Sequence, residues 1–277
     1  MWTGDKMYLI EILKVIVLGI VEGVTEWLPI SSTGHMLLID EFIKLSVSAE
    51  FKEMFLVVIQ LGAILAVVIL FFDKLNPFGK EKERKAETIN LWIKVFIGCI
   101  PAAIIGILFG DWIDANFFNV TIVSIALILY GICFIFIENN RKGKKATITS
   151  LKDITPKLAI YIGLFQLLSL IPGTSRSGTT ILGGLLIGLD RNIAVEYTFF
   201  LAVPIMLGAS LLKIFKFGFV FSSTELVFLL IGMLVAFLVS FITIKYLLKY
   251  IKKNDFKAFG WYRIILGIIL LLYFMLI

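Results

Sequence analysis

The sequence reads as an all-α polytopic membrane protein: six full transmembrane helices plus two re-entrant helix-loop-helix hairpins in an inverted-topology repeat. Three observations lead there. Hydrophobic residues make up 60% of the 277 and charged residues only 17%, with a mean hydropathy of +1.00; a soluble domain is typically ~45–50% apolar and ~25% charged. A water-soluble core cannot hide that much apolar surface, so the bilayer is the solvent. Apolar runs of spanning length recur along the chain, and its second half carries a weak copy of the first. The same numbers set aside intrinsic disorder, a secreted disulfide scaffold and a nucleic-acid-binding module.

A spanning helix needs ~20 mostly apolar residues. The first apolar piece, 8–28, could span but carries Glu11, Lys14, Glu22 and Glu26. No small-residue cleavage site follows it, so no removable signal peptide is expected. Pro29 to Gly34 breaks it from a second piece, 35–47. Three crossings follow, at 53–72, 91–109 and 119–138, and then a second broken pair, 158–171 and 179–189, around Pro172 to Gly178. Crossings at 194–212, 225–247 and 260–277 complete the chain. The short pieces, ~11–14 residues each, cover only ~16–21 Å of a ~30 Å hydrocarbon core. They read as re-entrant arms, which are tolerated at membrane depth when buried in protein or lining a wet cavity. Trp92, Trp112 and Trp261 fall at predicted span ends, where interfacial tryptophans belong. Cys99 and Cys133 lie in apolar runs and read as small buried hydrophobes, without a disulfide or metal-ligand spacing.

The net charge of +6 is distributed unevenly. Lys74, Lys80, Lys82, Arg84 and Lys85 crowd 73–90; Arg141, Lys142, Lys144, Lys145, Lys152 and Lys157 crowd 139–157; Lys245, Lys249, Lys252, Lys253 and Lys257 crowd 245–257. By contrast, 110–118 holds only Asp111 and Asp114, and 213–224 only Lys213 and Lys216 as its bases. If each hairpin returns to its own side, the three rich loops share one face. By the positive-inside rule that face is cytoplasmic and both termini lie outside.

Laying the chain over itself so that Gly19 meets Gly163 also matches Glu22 with Gln166, Ser31 with Ser175, Thr33 with Ser177 and Gly34 with Gly178. A register two residues longer places Leu61-Gly62-Ala63 over Leu207-Gly208-Ala209. The chain is thus one membrane domain, 1–277. Repeat 1 (8–138) is the hairpin 8–47 plus three crossings, and repeat 2 (158–277) is the hairpin 158–189 plus three more, with the basic loop 139–157 between them. Three is odd, so the second repeat enters from the opposite side. Hairpins that stop near the midplane bring their polar loops together; hairpins that crossed would part them.

Those loops hold the chemistry. Glu22 and Glu26, four apart, share one helical face. A charge at bilayer depth costs ~2.5–3.5 kcal/mol on insertion scales, so such residues mark a cavity or ion pathway, and two adjacent carboxylates invite a cation between them. His35 is the sole histidine, which excludes histidine-rich metal sites and paired-histidine mechanisms. Beside Ser31, Ser32 and Thr33 it is either a helix-cap residue or a proton shuttle, and an N-cap over Ser31 to Gly34 is compatible with an anion site at the same place. The stretch Pro172-Gly173-Thr174-Ser175-Arg176-Ser177-Gly178-Thr179-Thr180 packs hydroxyls, glycines and one guanidinium between short apolar arms. Its composition suits a phosphate: glycine lets backbone N–H groups approach, hydroxyls donate, and arginine offers a planar fork. Gln60, inside a crossing, either lines the same cavity or bonds a neighbouring helix. Together this is a phosphoryl-transfer or hydrolysis kit. No nucleotide loop, dinucleotide fingerprint, zinc motif or lipid-attachment signal occurs.

At these residues the chain closely resembles the bacterial undecaprenyl-diphosphate phosphatases, the integral-membrane family linked to bacitracin resistance. The match rests on Glu22 to His35 (E-x-x-x-E running into PISSTGH), on Pro172 to Thr180 (PGTSRSGTT) and on Val58 to Ala63. The resemblance implies hydrolysis of undecaprenyl diphosphate to the monophosphate carrier of peptidoglycan synthesis. It also implies a divalent cation, magnesium or calcium, and a bacterial cytoplasmic-membrane location with the active site open to the outer face. Glu22 and Glu26 would hold the metal or act as base. Arg176 would clamp the diphosphate, and Ser31, Thr33, Gln60, Gly173, Thr174, Ser175, Ser177, Gly178 and Thr180 would form the surrounding substrate site. Ser32 would be the candidate nucleophile and His35 a proton donor or acceptor; attack by Ser32, by His35 or by a metal-activated water stays open. The partners are the polyprenyl lipid and the membrane, with a homodimer left open and no nucleic acid. The main rival is a polyprenyl-phosphate flippase or transporter built on the same inverted repeat, followed by a non-catalytic lipid-phosphate binder.

Overall fold

The structure, a computed structural model, describes residues 2–78 and 82–276. Its described residues are helical apart from turns and one parallel bridge between Ile148 and Leu189. In chain order the helices are α1 (Trp2–Thr25), α2 (Ser32–Phe42), α3 (Ala49–Val58), α4 (Gln60–Leu70), α5 (Phe72–Leu75), α6 (Lys82–Phe117), α7 (Val120–Arg141), α8 (Pro156–Leu167), α9 (Arg176–Leu186), α10 (Arg191–Phe217), α11 (Ser223–Ile251) and α12 (Lys257–Leu276). Six of the described helical runs are long and apolar enough to cross a membrane: the joined α3–α4, then α6, α7, α10, α11 and α12.

The six runs sit where hydropathy puts them, but most helices overrun the expected spans. The segment 110–118, expected as a loop, belongs almost wholly to α6, and Lys213 and Lys216 lie on the last turns of α10. Hydropathy marks the edge of the oily layer, whereas a helix continues until its backbone finds other partners. Neither 110–117 nor 213–217 contains a proline, so although Gly110, Asp111, Asp114 and Asn116 are weak helix formers, nothing in those flanks breaks the backbone ladder. Trp92 therefore lies inside α6, half-buried, with its indole N–H on the Leu75 carbonyl at 2.8 Å, whereas Trp112 and Trp261 stand exposed near helix ends. Lys80 lies outside the described residues. The pieces expected at 35–47 and 179–189 begin three residues earlier, because Ser31 and Ser175 cap them. The first arm, α1, has 24 residues (~36 Å) against 12 in α8.

The packing pairs elements from the two halves of the chain. α7 lies along α12, α1 along α11, α8 along α6, and α10 against α3, α4 and α9. Small residues set the close approaches. A Cβ on Gly163 would come within 2.4 Å of the Gly98 carbonyl of α6, and one on Gly19 within 3.0 Å of the Gly232 carbonyl of α11. α10 runs through the middle: Tyr197, Phe199, Phe200 and Leu201 are fully buried, in one apolar core with residues of α4, α6 and α9. Along the helices the exposed large apolar side chains are mostly leucines, isoleucines and phenylalanines, the surface a hydrocarbon solvent requires.

Candidate functional site

The α1–α2 and α8–α9 turns meet beneath α10 and α12. Each turn contains one non-glycine residue with positive φ, Ser31 (φ 74°) and Ser175 (φ 73°), the pair that the internal repeat superimposes. Such backbone costs of order 1–3 kcal/mol and persists only where its surroundings hold it. In both turns the serine hydroxyl then caps the following helix, accepting from Gly34 N at 3.4 Å and from Gly178 N at 3.1 Å. Local strain thus aims two helix N-termini at one region, where their unpaired N–H groups favour an anion.

Glu22 lies in the last full turns of α1 and Glu26 in the turn that follows, its N–H still bonded to the Glu22 carbonyl at 3.0 Å. Both are buried. The Glu26 carboxylate is held from two sides: Oε2 accepts from Ser32 Oγ at 2.9 Å and Oε1 from Arg176 Nη2 at 3.1 Å. Arg176 also donates from Nη1 to the Thr198 carbonyl at 3.0 Å and lies over the fully buried Trp27 ring. A hydroxyl, a carboxylate and a guanidinium from two remote segments therefore form one connected chain.

That chain borders a cavity of about 540 Å³ lined by Glu22, Ser32, Thr33, Gln60, Glu53, Asp114 and Lys213, among others. Gln60 thus lines the cavity, one of its two expected places. Arg176 is not among the lining residues; it stands behind Glu26. The hydroxyls of the second turn point largely inward. Thr174 donates to the Leu168 and Ile171 carbonyls at 2.8 and 2.9 Å, Thr180 to the Arg176 carbonyl at 2.8 Å, and Ser177 to the Glu26 carbonyl at 3.1 Å. Gly173 (φ +91°) abuts α7, where a Cβ would meet the Val123 carbonyl at 2.6 Å. In this conformation these residues build the site and tie its two turns together. His35 turns away: Nδ1 meets the Ser31 carbonyl at 2.7 Å, Nε2 meets the Tyr262 hydroxyl at 2.7 Å, and the two rings stack 5.5 Å apart.

Three contributors lay beyond sequence reasoning. Arg263 of α12, fully buried, donates to the carbonyls of Pro29 (3.2 Å), Gly173 (2.9 Å) and Thr174 (2.9 Å), and so clasps both turns. The signal for it was an arginine within an apolar run. Tyr262 holds His35, and Thr198 supplies the carbonyl under Arg176; neither has a sequence signature.

Residues fit for a cation are present. Glu22 Oε1 is buried without a hydrogen-bond partner, an arrangement that costs free energy unless something positive meets it. The Gln60 amide adds an oxygen on the same cavity wall, and Glu26, whose carboxylate is held by Ser32 and Arg176, stands four residues on from Glu22; oxygen ligands are what a hard divalent ion prefers. Among the described residues no cluster of three or more acidic, histidine or cysteine side chains stands ready as a closed metal cage. Such a set suits magnesium, which keeps waters and takes one or two carboxylates plus substrate phosphates.

A model of the family described as Bacitracin resistance protein BacA matches residues 15–269. The chain is 62% identical over 271 residues to the undecaprenyl-diphosphatase of Desulfitobacterium hafniense, covering 97% of this chain and 98% of that one. It is 61% identical over 271 residues to undecaprenyl-diphosphatase 1 of Clostridium acetobutylicum, covering 97% and 99%. It is 63% identical over 267 residues to an undecaprenyl-diphosphatase of Enterococcus faecalis, covering 95% and 97%. With its two turns, its buried glutamates and its arginine drawn into one site, this chain belongs to the bacitracin resistance protein BacA family.

Proposed function

We propose that the protein hydrolyses undecaprenyl diphosphate to undecaprenyl phosphate and inorganic phosphate, recycling the lipid carrier of cell-wall synthesis. The observation that carries this reading is the Glu26 carboxylate, which accepts from the Ser32 hydroxyl and the Arg176 guanidinium beside a cavity. That is the nucleophile–base–orienter arrangement of covalent catalysis. Ser32 Oγ attacks the terminal phosphorus while its proton passes to Glu26, and the bond from phosphorus to the bridging oxygen breaks. Glu26 hands that proton to the departing lipid phosphate. It then takes one from the water that cleaves the phosphoserine and returns it to Ser32, so one water is consumed per turnover. Arg176 fixes the carboxylate and sets a positive potential behind it. His35, turned toward Tyr262, is better placed to brace α2 than to attack.

A divalent cation, magnesium or calcium, would be held by Glu22 with Glu26 and Gln60, and when bound would neutralise phosphate charge. An apolar groove of about 760 Å³ between α6 and α10 shares Asp114 with the catalytic cavity and is the natural bed for the isoprenyl tail. Its floor includes Gly110 and Gly208, with open space where a Cβ would project. The two turns are read as re-entrant and the halves as an inverted repeat. The exchange of partners, α1 on α11 and α8 on α6, supports a two-fold relation in the membrane plane. On that topology the basic loops are cytoplasmic, the termini outside, and the cavity opens outward.

The test is phosphate release from C55 isoprenyl diphosphate by the purified protein in detergent, with magnesium, with chelator, and with Arg176→Ala. Release that needs both the metal and Arg176 is expected. Well-folded protein that binds the lipid without releasing phosphate would turn the reading toward a flippase or binder.

A further inference from the structure

The walls of the catalytic cavity carry three carboxylates, Glu22, Glu53 and Asp114, and a single cation, Lys213. A diphosphate approaching such a surface meets repulsion from most directions, and the guanidinium that could offset it, Arg176, stands behind Glu26. Lys213, near the C-terminal end of α10, instead makes an ion pair across the cavity with Glu53 of α3. The two partners differ in how they are held. The Lys213 side chain is 22% exposed, and that of Glu53 is 65% exposed. One turn before it, Ser210 Oγ of α10 donates to the Val57 carbonyl of α3 at 3.1 Å, and one turn further on Lys216 pairs with Asp111 of α6 at 2.6 Å, so the anchoring of α10 to its neighbours does not depend on Lys213. An ion pair with one partner largely in solvent contributes little to stability, whereas an ammonium on phosphate oxygens is a charge-assisted contact of the stronger kind.

We propose that Lys213 is a substrate-binding residue that captures the incoming diphosphate, exchanging the Glu53 carboxylate for phosphate oxygens. Glu53 then acts as a stand-in that holds the ammonium over the cavity while it is empty and competes with substrate for it. The proposal rests on the diphosphatase reading above and adds a residue outside its two motifs.

The competition gives the test its edge. A merely structural ion pair predicts that removing either partner has the same effect; competition predicts opposite effects. KM and kcat for phosphate release from C55 isoprenyl diphosphate are measured with the full-length protein and with Lys213→Gln, Lys213→Arg and Glu53→Gln, each checked for monodispersity and thermal stability. Lys213→Gln is expected to raise KM about tenfold or more with kcat nearly unchanged, the loss of one hydrogen bond to a charged group. Lys213→Arg restores KM to within about threefold of wild type, because the cation is kept. Glu53→Gln lowers KM by about two- to threefold, because an exposed pair is a weak competitor. Two glutamines that move KM in the same direction, or leave it unchanged, overturn the role of Lys213 while leaving the diphosphatase reading intact. If Lys213→Gln does not fold, Glu53→Gln is read beside Asp114→Asn, which removes a wall carboxylate that makes no ion pair with Lys213: a KM lowered more by Glu53→Gln than by Asp114→Asn supports the exchange, and an equal or smaller lowering overturns it. Wild-type protein that releases no phosphate defeats both readings together.

Discussion

Arg263 offers the sharpest energetic prediction. Its guanidinium is fully buried and has three good acceptors, the carbonyls of Pro29, Gly173 and Thr174, with a fourth contact to Leu127 at the 3.5 Å limit. Arg263→Met keeps most of the volume and removes the charge, so the cost of burying a cation disappears along with its bonds. What remains is three buried carbonyls without a donor, at about 1–3 kcal/mol each. Methionine refills the space and some carbonyls find weaker partners, so the low end applies, about 3–5 kcal/mol in all. At about 2–4 °C per kcal/mol for a chain of this size, the melting temperature should fall by about 6–20 °C. Because the same guanidinium holds the first turn to the second, kcat should fall steeply with it. Arg263→Lys, which keeps a charge and three donors but not the planar fork, should lie between. Intrinsic tryptophan fluorescence against temperature, with fully buried Trp27 as a reporter beside the site, reads the first quantity, and phosphate release reads the second. A melting temperature equal to wild type, or a large drop with kcat intact at low temperature, would refute the clasp.

Three further outcomes follow from the same geometry. Glu26→Gln removes the acceptor of the Ser32 proton and sets an amide against Arg176; phosphate release should fall about 10²–10⁴-fold while the lipid still binds. Gly208→Leu puts a side chain into the apolar groove where nothing now lies within 4 Å of a Cβ. It should raise KM for the C55 diphosphate and leave a short-chain isoprenyl diphosphate nearly unaffected; equal effects on both would remove the groove from tail binding. Tyr262→Phe deletes the hydroxyl that meets His35 Nε2 at 2.7 Å and should cost about tenfold in kcat or less, since a bracing contact is lost and not a reacting group; a loss as large as that of Glu26→Gln would bring His35 back into the chemistry.

The crossings were legible because length and apolarity alone define them, and the two polar turns because Pro, Gly and Ser interrupt oily sequence in a repeated pattern. Helix ends were not: Asp111, Asp114, Lys213 and Lys216 read as loop charges, yet they ride on continuing helices, since charged flanks do not break an α-helix. Glu22, Glu26 and Arg176 stood out by their cost at bilayer depth, whereas Ser32 was singled out only by the resemblance of its motif to the family. Whether a serine or threonine donates to a ligand or to its own backbone leaves no mark in composition, and Thr174, Ser177 and Thr180 bond to backbone. Thr198 and Tyr262 act through contacts between segments remote in sequence, which no local pattern encodes. Arg263 did leave a trace, a guanidinium in an apolar stretch of the same kind as Arg176.

The central claim is that Ser32, aimed at by Glu26, attacks the terminal phosphate. The measurement that meets it most directly is the turnover of Ser32→Ala on saturating C55 isoprenyl diphosphate, with thermal stability recorded on the same sample. The mechanism requires a fall of at least about 10³-fold, as when a covalent nucleophile is deleted, at an unchanged melting temperature. Turnover within about tenfold of wild type would contradict it and pass the attack to a water activated beside Glu22.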